Sequence, residues 1–213
     1  MTKDLKETAL DLLEGNWGAA VGATLIIFIL IQVVSIIINW GFSNIYDWGE
    51  IGDFISFLII SPLTLGGYYL TLNIIRQEQP HIRNIFIWCV DMRKLLKSFL
   101  VYLLLYFYLI LWTLLLIVPG IIKFISYTMT YFILNDYPDC TMNQAITKSR
   151  HMMNGHKIAY MILCLSFIGW FMLSLVTLGI GFLWLIPYFH TTKAVFYEEI
   201  AMKDSIAKLK KYD

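Results

Sequence analysis

The sequence predicts an all-α protein that crosses a membrane six times. Hydrophobic residues make up 59% of its 213 residues and charged residues only 15%, and its mean hydropathy is +0.68. A soluble domain of this size needs more polar surface than that composition supplies. The apolar residues are also collected into runs that approach the roughly 20 residues a helix needs to cross a hydrocarbon core about 30 Å thick. The net charge of +1 does not indicate a nucleic-acid partner.

The first apolar run is expected to remain in the protein as a membrane span. The segment before it, "MTKDLKETALDLLEGNW", is polar on one side, and the run that follows is longer than the apolar region of a signal peptide. No small-residue cleavage pattern follows that run.

Five apolar runs are long enough to span a membrane, and a sixth, residues 120–134, would be only about 22 Å long. Pro119 and Gly120 precede this short run. Because proline is tolerated at a helix start and glycine in a tight turn, they are predicted to reverse the chain there. The stretch "TLGIG" is expected to turn the chain between the last two runs. The predicted single domain, 1–213, therefore has a short basic tail at 201–213 and spans at about 18–38, 54–75, 98–118, 120–134, 158–178 and 181–200.

The lysines and arginines predict the orientation of these spans. Of the 16 basic residues, all but Lys123 and Lys193 fall in segments that the six-span topology places on one side. The loop between the first two spans, "GFSNIYDWGEIGD", contains acidic residues and no lysine or arginine. Because basic residues remain cytoplasmic, both termini are expected to face the cytoplasm.

The segments before spans one, three and five resemble one another. At an offset of 140 residues the first and third align at four pairs: Leu12 with Met152, Leu13 with Met153, Gly15 with Gly155 and Ala19 with Ala159. Each segment has apolar residues at roughly helical spacing, which is typical of a helix lying in the membrane interface. Each is followed by two spans, the second with a proline, at Pro62, Pro119 and Pro187. The pattern indicates two or three cytoplasmic amphipathic helices and three parallel helix–hairpin units. The alternative is that any cytoplasmic linker beside a membrane becomes amphipathic.

Several stretches of the sequence are similar to one family of bacterial integral membrane proteins. They are "GNW" at 15–17, "VPGII" at 118–122, the segment 133–157, "LSFIGW" at 165–170, "TLGIGFLWLIPY" at 177–188 and "AVFYEEI" at 194–200. Together they resemble domain-of-unknown-function family 975 over nearly the whole chain, most specifically from Ile133 onward. The resemblance implies a bacterial cytoplasmic membrane and brings no catalytic residues or established activity.

No motif for catalysis or cofactor binding occurs in the sequence. The patterns HExxH, G-x-S-x-G and GxxxxGK[ST] are absent, and the GxG within "TLGIGFLW" lacks the strand–helix context of a dinucleotide site. The three cysteines show no CxxC or Cys/His spacing and are expected to be reduced. Asp47, Glu50 and Asp53 could bind a cation in the outer loop, although a solvated loop is the favoured interpretation. We therefore expect no enzyme activity, cofactor or metal.

A basic segment follows the predicted fourth span. A helix is predicted to begin near Thr141, and its basic face comprises Lys148, Arg150, His151, His156 and Lys157. Attraction to anionic lipid head groups, at about 1 kcal/mol per basic residue near the surface, is the favoured interpretation. A docking surface for a cytoplasmic partner is the alternative.

The stretch "YFHTTKAVFY", residues 188–197, carries polar groups inside the last predicted span. Counted from Gly181, His190 would lie about 14 Å deep and Lys193 about 18 Å deep. Isolated ionisable groups at that depth are costly, and Pro187 leaves a backbone carbonyl free one turn earlier. One interpretation is a polar site lined by His190, Thr191, Thr192 and Lys193. Its proposed neighbours are Gln32, Thr64 or Tyr127. In the other, favoured interpretation, Lys193 reaches the cytoplasmic head groups and His190 bonds a neighbouring helix.

These observations leave three classes of function. The favoured class is a non-enzymatic membrane protein that acts as a scaffold, an accessory subunit or an envelope factor, with a membrane-protein partner or a second copy of itself. The second is a small transporter or channel built on the site around His190 and Lys193. A membrane-embedded enzyme is the weakest, because no nucleophile–base pair, paired carboxylates or metal cluster falls at membrane depth.

Overall fold

The computed structural model describes residues 2–45, 49–78, 80–115 and 117–209, with side chains at 38–39, 41–45, 49–59, 115, 117, 204 and 206–209 excepted. The described chain is all-helical, which confirms the predicted class. Its helices are α1 (Thr2–Leu13), α2 (Trp17–Ile45), α3 (Gly49–Ile75), α4 (Met92–Leu115), α5 (Ile117–Tyr127), α6 (Thr130–Asp136), α7 (Met142–Met152), α8 (Lys157–Leu165), α9 (Ile168–Val176) and α10 (Phe182–Leu209). The 3₁₀-helix Ile82–Phe86 lies between α3 and α4.

Three segments of the described chain are long and apolar enough to cross a membrane. They are Trp17–Ile37 in α2, Met92–Leu114 in α4 and Lys157–Val176, which comprises α8 and α9. The last helix, α10, is less apolar because it carries His190, Lys193 and two glutamates. The prediction of six spans therefore stays a prediction.

The chain reverses between α4 and α5, but earlier than expected. We predicted the turn at Pro119–Gly120; instead α4 ends at Leu115 and α5 begins at Ile117. Pro119 therefore lies in the first turn of α5, where the missing backbone N–H costs no helical hydrogen bond. Gly120 permits the close packing of the pair, since a Cβ there would lie 2.9 Å from the Thr113 hydroxyl.

Side-chain pairs show that α4 and α5 are antiparallel. Residue numbers rise along α5 as those of their α4 partners fall: Gly120 meets Thr113, Lys123 lies over the Trp112 ring and Tyr127 packs on Tyr108. The predicted hairpin is present here, although its second arm is not one continuous span. A turn at residues 128–129 separates α5 from α6.

A second break interrupts the predicted span 158–178. Helix α8 ends at Leu165 and α9 begins at Ile168. The Lys6 ammonium on α1 donates a 2.7 Å hydrogen bond to the carbonyl oxygen of Ser166 and lies 4.1 Å from the Phe167 ring centre. A cation at this point complements the partial negative charge of the α8 C-terminus.

Helices α1 and α7 are amphipathic and precede α2 and α8. Both bury their apolar faces against the protein itself. Leu5, Ala9 and Leu13 on α1 are at most 5% exposed. Helix α7 begins where predicted: Thr141 is its N-cap and forms a reciprocal capping box with Gln144. The Ser149 hydroxyl then donates to the Ser126 carbonyl oxygen at 2.8 Å, so α7 packs along α5.

The middle linker departs from the predicted pattern. An amphipathic helix was expected between spans two and three, but residues 82–90 form a 3₁₀-helix and turns before α4 begins. The reason is close backbone packing on α3. A Cβ at Gly66 would overlap the Ile85 carbonyl oxygen, so this linker is pressed against the α3 backbone rather than wound into a helix of its own.

The offset of 140 residues predicted from the sequence is also seen in the backbone. Gly15 and Gly155 have left-handed φ angles of 83° and 82°, and the helices that follow them begin at Trp17 and Lys157. The buried positions also correspond: Leu5 with Ala145, Ala9 with Ser149, Leu13 with Met153, Ala20 with Tyr160 and Ala23 with Leu163. The three-unit repeat itself stays a prediction.

Candidate functional site

Most of the polar residues of "YFHTTKAVFY" are buried in the structure. Thr191, Thr192 and Lys193 are 1%, 0% and 7% exposed. Pro187 is buried one turn earlier, and His190 is half-buried. Helix α10 packs against α1, α2, α3, α7 and α9, so these side chains meet protein on most sides.

Lys193 is held by an aromatic pocket. Its ammonium nitrogen donates a 2.6 Å hydrogen bond to the Tyr68 hydroxyl oxygen on α3, and it lies 4.7 Å from the Tyr68 ring centre and 5.8 Å from that of Phe132. Contacts of a cation with aromatic faces within about 6 Å are favourable, and more so when desolvated. Within the described part of the chain, no carboxylate lies within ion-pair distance of this ammonium.

His190 also contacts Tyr68. The imidazole packs edge-on to the Tyr68 ring with centres 5.2 Å apart. Next to it, the Thr191 hydroxyl is buried and has no hydrogen-bond partner among the described residues. The neighbouring Thr192 hydroxyl, in contrast, donates to the Tyr188 carbonyl oxygen at 2.8 Å. Neither threonine hydroxyl therefore donates to the backbone carbonyl oxygen that Pro187 was expected to leave free.

A cavity of about 270 Å³ lies between α2, α3 and α10 and reaches both His190 and Thr191. Its wall is mainly apolar, with side chains such as Ala23, Ile27 and Ile186, and its polar lining residues are Thr24, Thr64, Tyr68, Thr71, His190 and Thr191. Phe28 and Ile186 on its rim are 59% and 40% exposed, so the cavity opens onto the apolar outer surface of the protein.

His190 and Ile186 also line a second, separate space. This is an apolar groove of about 480 Å³ between α8, α9 and α10, walled by phenylalanines at 167, 171, 182 and 189. His190 therefore lines both spaces, and its imidazole ring lies between the cavity and the groove.

Of the three neighbours predicted for this site, the structure places one beside it. Thr64 lines the cavity with His190. Gln32 is exposed on α2 and takes no part, and Tyr127 packs on Tyr108 at the α4–α5 hairpin. The residue that sequence reasoning missed is Tyr68. Its signal is modest: a tyrosine directly after the glycine pair of "LGGYY", in an apolar run where a phenolic hydroxyl needs a partner.

A second polar cluster joins the ends of α3 and α6 to the side of α10. The Arg76 guanidinium, just after α3, makes a 2.8 Å ion pair with Asp136 at the end of α6 and a 2.7 Å ion pair with Glu198 on α10. The Tyr197 hydroxyl donates to Asp136 at 2.7 Å. Burial lowers the pKa of Arg76, but the hydrogen bonds and charges of Glu198 and Asp136 outweigh burial, so the pKa is raised overall. We call Arg76, Asp136, Tyr197 and Glu198 the ionic clamp.

Asn135 fixes α6 from its other side. Its amide nitrogen donates to the carbonyl oxygens of Leu65 on α3 and Tyr131 on α6, at 3.1 and 3.0 Å. Its amide oxygen accepts a 2.7 Å hydrogen bond from the Trp88 indole. One half-buried amide therefore links α3, α6 and the middle linker, as interhelical polar groups do in membrane bundles.

The predicted basic face is spread over α7 and the start of α8. Arg150 and His151 are exposed, whereas Lys148, His156 and Lys157 are half-buried. The Lys148 ammonium stacks over the Tyr137 ring at 3.3 Å from its centre. Lys123, one of the two basic residues outside the segments predicted to be cytoplasmic, is within electrostatic range of Arg150 and Lys157. We call these six residues, 123, 148, 150, 151, 156 and 157, the basic surface.

Other candidate residues are brought into no site. The side chains of Asp47, Glu50 and Asp53 lie outside the described residues. Cys89, Cys140 and Cys164 form no disulfide, and burial raises the pKa of the Cys89 and Cys140 thiols. In the described ranges, no group of three His, Cys, Asp or Glu side chains could hold a metal ion.

The chain belongs to the family described as "Protein of unknown function (DUF975)", which matches residues 1–130 and 114–204. The two matched segments overlap and together cover nearly the whole sequence, which confirms the resemblance seen from its motifs. No curated protein and no solved structure matches the chain.

Proposed function

We propose that the protein is a non-enzymatic, multi-pass membrane scaffold or accessory protein of the bacterial cytoplasmic membrane. In this proposal six spans cross the bilayer and both termini face the cytoplasm. Two observations support it: three segments are apolar enough to cross a membrane, and 14 of the 16 lysines and arginines fall in segments that this topology places on the cytoplasmic side.

The observation that carries the scaffold role is how the polar side chains between the helices are used. Lys193 bonds Tyr68, Arg76 bonds Asp136 and Glu198, and Asn135 bonds α3 and the middle linker. Each contact joins two or more helices. Polar groups that bond across helices hold a bundle together without a conduction path, so the ionic clamp and the Lys193–Tyr68 pair suit a protein whose task is to keep a shape for a partner.

A transporter or channel is the second candidate, because one observation favours it. The cavity is lined by His190 and by Thr191, whose hydroxyl has no hydrogen-bond partner among the described residues. A path for a polar solute needs a polar lining along its length, however, and this cavity is walled mainly by apolar side chains. The scaffold role is therefore the better supported of the two.

The basic surface is proposed to contact anionic lipid head groups. Arg150 and His151 are exposed, and Lys123 is within electrostatic range of both Arg150 and Lys157. Clustered basic residues are each attracted to an anionic membrane by about 1 kcal/mol. A cytoplasmic protein partner on this surface is the alternative.

Affinity purification from native membranes, followed by mass spectrometry, tests the scaffold role. We expect one membrane protein, or a second copy of the chain, to co-purify in a fixed ratio. Arg76→Gln should lower that ratio, while Lys203→Gln, on an exposed surface pair, should not. The transporter role would instead be established if reconstituted wild-type protein passed a solute that folded His190→Ala and Lys193→Ala variants did not.

A further inference from the structure

The cavity between α2, α3 and α10 has hydroxyl groups of two kinds. Those of Thr24, Thr64 and Thr71 each donate to a carbonyl oxygen four residues earlier in their own helix, at 2.7–2.9 Å. Their hydrogens are therefore committed. The Thr191 hydroxyl has no partner among the described residues although it is 1% exposed, and leaving such a group unpaired costs about 1–3 kcal/mol.

Tyr68 adds a second donor at the same end of the cavity. Its oxygen accepts the hydrogen bond from Lys193, so its own hydrogen is available for an acceptor inside the cavity that the ring lines. His190, which also lines the cavity, supplies a ring N–H from whichever nitrogen is protonated. This end of the cavity therefore carries hydroxyl and ring N–H donors whose hydrogens are not committed to a carbonyl oxygen of the described residues.

The charge of Lys193 also favours a ligand that carries hydrogen-bond acceptors. Behind the Tyr68 oxygen lies the Lys193 ammonium, 7% exposed and without a carboxylate within ion-pair distance in the described ranges. A buried cation is stabilised by an opposite charge placed nearby. Unused donors beside an uncompensated positive charge select an anionic acceptor.

The remainder of the cavity selects an apolar body. Its walls are alanine, isoleucine and phenylalanine side chains, and the exposed Phe28 and Ile186 on its rim lead to the outer surface. A volume of about 270 Å³ is at the lower limit of ordinary ligand pockets, which begin near 300 Å³. That volume suits one hydrocarbon chain, which could enter sideways from a bilayer.

We propose that this cavity binds a single-chain lipid with a carboxylate head, such as a fatty acid. The Tyr68 and Thr191 hydroxyls and His190 bind the carboxylate, Lys193 balances its charge, and the chain lies against α2 toward Phe28. A carboxylate carries one charge, which one lysine balances, whereas a phosphate monoester carries about 1.5–2. The proposal goes beyond the scaffold role and requires only that the protein lies in a bilayer.

The test uses the full-length protein in phosphatidylcholine nanodiscs at mildly alkaline pH, with binding to empty nanodiscs subtracted. Radiolabelled dodecanoate, dodecanol, dodecyl phosphate and acetate are compared by equilibrium dialysis. We expect dodecanoate to bind about tenfold or more tightly than dodecanol, because a charged hydrogen bond is worth more than a neutral one. Acetate, which lacks the chain, should not bind measurably.

Two variants locate the bound molecule. Thr191→Val keeps the side-chain shape and removes the hydroxyl, so dodecanoate should bind about tenfold more weakly while the unliganded protein melts at an equal or higher temperature. Ala23→Leu fills the cavity and should abolish binding. Thr192→Val is the matched control, since Thr192 is equally buried but does not line the cavity, and it should leave dodecanoate binding unchanged.

Four results would overturn the proposal. These are equal binding of dodecanol and dodecanoate, tighter binding of dodecyl phosphate, no binding of any chain, and dodecanoate binding that survives both Thr191→Val and a folded Ala23→Leu. None of them bears on whether a partner co-purifies, so the scaffold proposal stands or fails separately.

Discussion

The Lys193 ammonium lies 2.6 Å from the Tyr68 hydroxyl oxygen, and this bond ties α10 to α3 at the level of the cavity. The pair explains how a lysine is accommodated within an apolar bundle. Tyr68 supplies both a hydrogen-bond acceptor and an aromatic face, which together replace part of the hydration that the ammonium gives up.

Removing the two members of this pair should have opposite effects on stability. Tyr68→Phe leaves the buried ammonium without its acceptor and should lower the free energy of unfolding by about 1.5–3 kcal/mol. Lys193→Met removes the charge itself and should be neutral or stabilising, because a well-packed apolar side chain often replaces a buried ion at no cost. Thermal unfolding in detergent, with Tyr69→Phe as the neighbouring control, measures both.

The double variant Tyr68→Phe/Lys193→Met makes this prediction specific. It should be clearly more stable than Tyr68→Phe alone, since no unpaired ammonium remains. If the free-energy changes of the two single variants simply added in the double variant, the hydrogen bond would not couple the two side chains.

The ionic clamp should contribute modestly to stability. Arg76→Gln removes two ion pairs and leaves Asp136, only 16% exposed, with Tyr197 as its donor. Because the Arg76 side chain is 38% exposed and partly screened by solvent, we expect a loss of about 1–2 kcal/mol. Lys203→Gln breaks an exposed pair with Glu199 and should cost less than about 0.5 kcal/mol. Equal losses in the two variants would contradict a special role for the clamp.

The two glycines of the repeat should respond alike to alanine. Gly15 and Gly155 have φ angles of +83° and +82°, and a Cβ added at either position would have no atom within 4 Å. The only cost of alanine at these positions is therefore the strain of a left-handed backbone. Gly15→Ala and Gly155→Ala should each cost about 1–2 kcal/mol. Gly18 lies in a helix with equally open space around it, and Gly18→Ala should stabilise by about 0.5–1 kcal/mol. Unequal losses in the free energy of unfolding for Gly15→Ala and Gly155→Ala would show that the two turns are not equivalent.

What the sequence predicts well in this protein is local. The helix predicted to begin near Thr141 does begin there, and its capping box with Gln144 involves neighbouring residues alone. Such features depend on a few adjacent positions, so a local sequence motif is enough to identify them.

The features that the sequence did not predict depend on distant contacts. The break at Ser166 is matched by Lys6, 160 residues earlier, and Lys193 is bonded by Tyr68, 125 residues earlier. The middle linker forms no amphipathic helix because its backbone packs on Gly66. Helical periodicity in one segment carries no information about which other segment will cover it, so tertiary packing overrides the local pattern in each case.

The last prediction concerns the side of the membrane on which the basic surface lies. Basic residues are retained in the cytoplasm, so Arg150→Cys and Lys208→Cys should not react with an impermeant thiol reagent in intact cells. Asn44→Cys, in the acidic loop, should react. These variants are made in a background in which Cys89, Cys140 and Cys164 are replaced by serine or alanine, and permeabilised cells serve as the control for accessibility. Labelling of Arg150→Cys together with Asn44→Cys, and not of Lys208→Cys, would place the basic surface outside and reduce the number of spans between α3 and α10.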